Sequence, residues 1–277
     1  MVDLMLLELG GLAGFTIFLG LPVARLKGLS TGVKGFLNAI SIGILLFLLV
    51  EVLPVARETV EGVVLSSIRG ASPLGDGFLF VATLLSGFAL GLMSLVWYEN
   101  RFVRVPGTPQ ELAGLAIAQN GKGAINEKAS RRLAMMIAVG LGVHNFSEGL
   151  AIGSQYVSGA LTLAILLVVG FGAHNATEGF GIAAPLTGTR PKWSFLLLAG
   201  LVGGGPTLMG TIVGSAFVSP ILSVLFLSVA GGALFFVIMT LYGAGRRQST
   251  NHILMVGILL GFLVGYLTDL VLVVSGV

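Results

Sequence analysis

Apolar residues fall in eight long runs, at about 4–24, 34–56, 77–98, 131–155, 159–186, 193–217, 220–243 and 252–275. Each is long enough to cross a bilayer as a helix, which takes about 20 apolar residues. The intervening segments (25–33, 57–76, 99–130, 187–192 and 244–251) are polar or carry Gly and Pro. Two connections, near Ser158-Gly159 and Ser219-Pro220, are short enough to be tight hairpins. The pattern predicts an all-α integral membrane protein of eight transmembrane helices, forming a single polytopic domain over residues 1–277. The one long connection, about 99–130, sets Pro106, Pro109 and Gly121-Lys-Gly123 around a weakly helical Gln110–Gln119, and is expected to be a mobile loop. Gly203-Gly-Gly205-Pro206 is expected to interrupt the sixth helix, because Pro removes a backbone donor, and either to free carbonyl oxygens beside the site or to allow close helix packing.

Composition agrees with this reading. Only 10% of residues are charged, against roughly 25% in soluble domains. The net charge of +3 comes without a basic, aromatic-interleaved cluster, so no nucleic-acid partner is expected. Cysteine is absent, which excludes disulfides and thiolate ligands together. Asp3 and Glu8 stand where a signal peptide would have a basic region, so no cleavable signal is expected. All Lys and Arg except Arg57 and Arg69 fall in or beside alternate connections, the first, third, fifth and seventh. The positive-inside rule assigns those connections to the cytoplasm and both termini to the outside of the cell membrane.

The candidate chemistry lies in two of the apolar runs. His144-Asn145-Phe-Ser-Glu148-Gly149 is followed thirty residues later by His174-Asn175-Ala-Thr-Glu178-Gly179. On a helix, His at i and Glu at i+4 share a face. Two such faces turned together on antiparallel helices would offer two imidazoles, two carboxylates and two Asn amide oxygens. That is a first coordination shell for a divalent transition metal, and borderline-soft Zn2+ suits the mixed N/O set better than Mg2+ or Ca2+. The duplication suggests an inverted repeat with a site near the midplane, a recurrent transporter plan. A pair of buried His–Glu hydrogen bonds that only glue the bundle would need neither duplication nor the adjacent Asn. Glu51 and Asp269, near the outer ends of helices 2 and 8, fit either interfacial carboxylates or an acidic vestibule. His252 reads as a loop residue.

The double H-N-x-x-E-G motif, the eight spans and the long third connection resemble the ZIP (Zrt-, Irt-like protein) family of divalent metal-ion transporters. The resemblance implies import of a divalent metal, mainly zinc and in some members Fe2+, Mn2+ or Cd2+, as transported ion and not as cofactor. It carries metal-binding roles to His144, Asn145, Glu148, His174, Asn175 and Glu178. It further implies a transport unit of spans 1, 4, 5 and 6 moving against the other four by alternating access, often in homodimers. The chain departs from the family where Ser147 and Thr177 replace the Pro that many members carry before the motif Glu. It departs again at Gly205, where prokaryotic relatives place a Glu that helps hold a second metal, and at Met239-Thr240-Leu241, which replaces an acidic pair. A single transported ion is therefore expected. Ligand imidazoles must be neutral, so uptake should fall as pH drops. The rival from another class is an intramembrane zinc-dependent hydrolase. It would need three ligands, an open water position and a base, and the chain lacks H-E-x-x-H.

Overall fold

The computed structural model describes residues 4–26, 30–103, 127–216 and 219–274. Among these, regular structure is helical throughout and falls into eight long segments. They are α1 (Leu4–Arg25), α2 (Thr31–Ile68), α3 (Leu74–Tyr98), α4 (Glu127–Val157), α5 (Leu161–Ala183), α6 (Trp193–Ala216), α7 (Pro220–Gln248) and α8 (Asn251–Val274). Seven are long and apolar enough to cross a membrane, and α8 carries a shorter apolar stretch, Asn251–Leu267. The proposed weak helix at Gln110–Gln119 lies outside the described residues.

Three elements differ from the pattern-based expectation. The first is α1, which is an α-helix only to Phe15, resumes over Ile17–Gly20 and ends in a 3-10 turn at Leu21–Arg25. The Thr16 hydroxyl donates to the Ala13 carbonyl (2.7 Å), a local bond that competes with the helix ladder. Pro22, without an N–H, sits at the start of the tight turn.

The second is α2, which absorbs most of the expected connection 57–76 and runs for 38 residues. At 1.5 Å per residue it is about 57 Å long, far more than the roughly 30 Å hydrocarbon core. Arg57 and Glu61 pair at i,i+4 (3.4 Å) on this extension. The helix runs on through Pro54 and Gly62 and ends before Gly70, whose φ of 75° turns the chain.

The third is α6, which is not interrupted. It passes through Pro206 as continuous helix. Pro206 deprives the Val202 carbonyl of its helical donor, and α4 covers that carbonyl: a Cβ on Gly142 would overlap the Val202 oxygen and approach the Pro206 ring. The glycines here serve close packing, not a break.

The eight helices pack as two four-helix units. In one, α6 lies against α4 and α1, and α5 against α1 and α4; in the other, α2 lies against α8, α7 and α3, and α3 against α7. Inside each unit backbones touch where glycine removes the side chain, the approach that drives helix association in lipid. A Cβ on Gly149 (α4) would overlap the Thr207 carbonyl of α6, and one on Gly43 (α2) would overlap the Ile258 carbonyl of α8. Between units α4 meets α7, and α5 meets α2 and α8. At Gly140 of α4, on this seam, an added Cβ would meet the side chains of Val237, Leu95 and Ala233, at 3.4, 3.5 and 3.9 Å. At these positions contact within a unit is backbone to backbone, whereas at Gly140 contact between the units is through side chains.

Candidate metal site

The two motif copies lie on α4 and α5, antiparallel neighbours joined by a short turn in which Gly159 has a φ of 83°. Helical spacing puts His144 and Glu148 on one face of α4, and His144 Nε2 lies 3.3 Å from Glu148 Oε1. The opposite copy reaches the same imidazole, with Glu178 Oε1 3.8 Å from His144 Nε2. All these groups, with Asn145 and Asn175, are buried. The structure thus brings together His144, Asn145, Glu148, Asn175 and Glu178. His174 occupies the equivalent position on α5, one turn before Glu178; its side chain is outside the described residues.

The two asparagines cross-brace the site. Asn145 Nδ2 donates to Glu178 Oε2 (2.8 Å) and to the Gly203 carbonyl of α6 (3.0 Å). In the other direction Asn175 hydrogen-bonds Glu148, and its Nδ2 donates to the Ala13 carbonyl of α1 (3.0 Å). Each Asn therefore orients the Glu of the opposite motif copy and ties it to a third helix of the same unit. The motif spacing suggested asparagine oxygens beside the ion. Here the amide N–H groups bind, and both Oδ1 atoms lack a hydrogen-bond partner within the protein, as do Glu148 Oε2 and Glu178 Oε1. These four buried oxygens leave acceptor capacity for a cation. Among the described residues no three His, Asp or Glu side chains form a metal cage as they stand.

Asn145→Leu removes both of its bonds while keeping the volume. Losing an orienting partner of this kind typically costs 10–100-fold in metal affinity. A loss of that size in equilibrium zinc binding is expected, with helix content by circular dichroism unchanged.

A cavity of about 520 Å³ adjoins the site, lined by His144, Ser147 and Glu148 and by Glu51 and Thr59 of α2. It runs towards the end of the bundle formed by Ser154, Val213 and the Ser219-Pro220 turn. Glu51, which the sequence left open between interface and vestibule, lines this cavity and acts electrostatically on Glu178. The Asp269 side chain is outside the described residues. Towards the opposite end the site is closed by a buried apolar cluster. One and two turns beyond His144 come Leu141 and Ile137, beyond Glu51 come Leu48 and Leu45, and beyond Glu178 comes Ile182, all fully or almost fully buried.

Two positions on α6 change the reading of the departures. Gly205 has nothing within 4 Å of an added Cβ and shares its helix face with Leu201 and Met209, which are 45% and 62% exposed. A carboxylate there would point away from Glu178, so the missing Glu says nothing about the site's capacity here. The α6 groups that face the interior are the Gly203 carbonyl and the fully buried Thr207. Nothing in the sequence singled out Thr207; a lone Thr in an apolar helix carries no motif.

A multi-pass helical protein with a buried imidazole, two carboxylates and two carboxamides beside a one-sided cavity has the build of a membrane carrier for a cation. Comparison with known proteins makes the class specific. Residues 111–269 match the family model described as "ZIP Zinc transporter". The chain is also 30% identical, over 263 residues, to the zinc transporter ZupT of Akkermansia muciniphila, covering 87% of this chain and 93% of that protein. The chain belongs to the ZIP zinc transporter family. As a member of that family it is a transporter and not an enzyme.

Proposed function

We propose that the chain imports Zn2+ into the cytoplasm by alternating access, through a site made by His144, Asn145, Glu148, His174, Asn175 and Glu178. The observation that carries this reading is the buried His144–Glu148–Glu178 cluster at the closed end of a 520 Å³ cavity, with apolar core beyond it. Zinc ligands at about 2.0–2.1 Å in a tetrahedron stand roughly 3.3–3.4 Å from one another. The 3.3 and 3.8 Å separations at His144 Nε2 need little adjustment to admit an ion between the donors. Two carboxylates offset the two positive charges, which lets a divalent ion rest in an apolar surround. The His174 imidazole on α5 supplies the fourth donor, and the inverted arrangement of the two motif copies makes α4 and α5 equivalent contributors.

The positive-inside rule orients the molecule with Arg131, Arg190 and Arg246 in the cytoplasm and both termini outside, in the plasma membrane. The cavity then opens outwards and the apolar cluster seals the inner side. Import follows when the α1/α4/α5/α6 unit shifts along the seam and exposes the site inwards, with the α2/α3/α7/α8 unit as scaffold, in a homodimer. Fe2+, Mn2+ and Cd2+ are alternative cargoes of the same donor set.

Glu51 belongs to the scaffold unit and captures the ion at the cavity. Glu51→Gln should raise the KM for zinc about three- to tenfold at low salt while kcat holds, because an entry charge raises local cation concentration without touching later steps. Initial-rate zinc uptake in proteoliposomes at two ionic strengths checks this. The whole reading is tested by whether saturable uptake into zinc-dye-loaded proteoliposomes exists at all in the wild type.

A further inference from the structure

A second site lies on the exposed face of the same four-helix unit. Phe18, Leu21 and Pro22 of α1 and Trp193, Leu196 and Leu197 of α6 line an apolar groove of about 330 Å³. Its rim faces outwards, with Trp193 60% and Leu197 55% exposed, while Leu21 and Leu196 form a buried floor. At the head of the groove the Arg25 guanidinium lies 4.8 Å above the Trp193 ring, and its Nη1 donates to the Pro191 carbonyl (2.7 Å). These two contacts fix the cation in place and use one of its five N–H donors, leaving a planar edge suited to a phosphate. Exposed Arg190 and Lys192 flank Pro191 in sequence.

Among the described residues no carboxylate competes for this cation. The chain has no Asp or Glu from Leu9 to Val50 or from Gly179 to Thr268. Among the described residues none pairs with Arg25, whereas Arg131 on the neighbouring α4 is held by Glu127. Trp193 sits where a tryptophan marks the membrane interface. An apolar groove in the hydrocarbon layer, headed by a fixed and unneutralised guanidinium at the interface, complements a molecule with an acyl chain and an anionic head.

We propose that this groove binds an anionic phospholipid, its phosphate on Arg25 and Lys192 and an acyl chain along Phe18, Pro22 and Leu197. Basic pockets between membrane helices recognise such headgroups. The site would tether the α1/α4/α5/α6 unit to one leaflet. It stands independently of which metal is carried.

The test uses the full chain, delipidated in a non-ionic detergent and offered phosphatidylglycerol or phosphatidylcholine with identical acyl chains. Native mass spectrometry counts retained lipid and thermal unfolding reports stabilisation. Wild type should retain phosphatidylglycerol at least tenfold better than phosphatidylcholine, and Arg25→Gln should erase that preference. Arg25 also holds the Pro191 carbonyl, so Lys192→Gln, which breaks no such bond, is the second variant; it should reduce the preference several-fold with the unfolding temperature of the lipid-free protein unchanged. Equal retention of the two lipids by wild type would overturn the proposal, as would an undiminished preference in the folded variants. Inorganic phosphate alone reproducing the full stabilisation would also overturn it, by showing an anion site with no role for the acyl chain.

Discussion

Glu178→Gln should lower zinc affinity at least about 100-fold and abolish zinc transport, in a protein that still folds. The substitution keeps the shape and one acceptor oxygen, so the Asn145 Nδ2 bond at 2.8 Å survives. What disappears is a negative charge, and with it one of two carboxylates that offset the charge of a divalent ion in a fully buried place. An uncompensated charge in a site of low polarity costs several kcal/mol, and each 1.4 kcal/mol is about a factor of ten in affinity. Equilibrium zinc binding to the detergent-solubilised protein measures the loss, and thermal unfolding without metal separates it from misfolding. Retention of wild-type affinity would show that Glu178 only glues α5 to α4. A fold with a higher melting point is an acceptable outcome, since the change also relieves two buried carboxylates lying near one another.

The largest expected effect on stability is at a glycine. Gly149→Ala puts a Cβ into the Thr207 carbonyl and 2.8 Å from the Thr211 nitrogen, both backbone atoms of α6 that cannot swing aside. Overpacking of this kind costs about 1–3 kcal/mol or more. Separating α4 from α6 would also pull Asn145 from Gly203 and so disturb the brace on Glu178. A clear drop in unfolding temperature with loss of zinc binding is expected. Gly205→Ala is the control: nothing lies within 4 Å of its Cβ, and alanine favours helix over glycine by about 1 kcal/mol, so the protein should be unchanged or slightly stabilised. Equal tolerance of both substitutions would remove the case for a unit held together by backbone contact.

Much of this architecture was legible in the chain. Hydropathy placed all eight helices because each needs a long apolar stretch, and the H-N-x-x-E-G duplication brought five described site residues together because i,i+4 spacing is a helix property. Hydropathy could not place the end of α2, since 57–68 is polar enough to leave the bilayer and yet remains helical. Pro206 misled for a related reason. Proline reports a missing donor, and only the fold reveals that Gly142 of α4 covers the carbonyl left over. The cavity position of Glu51 and the inward face of Thr207 depend on how α2 and α6 are rotated against their neighbours. The asparagine cross-brace likewise arises from helix-to-helix geometry, because each Asn serves the Glu of the other helix.

The most direct measurement is zinc uptake into proteoliposomes loaded with a zinc-sensitive dye, comparing wild type with His174→Ala and Glu178→Ala. Saturable wild-type uptake that both substitutions abolish, with the variants folded and inserted, is the expected result and puts the ion's path through both motif copies. Uptake that survives both substitutions would contradict a transport path through the tandem motif.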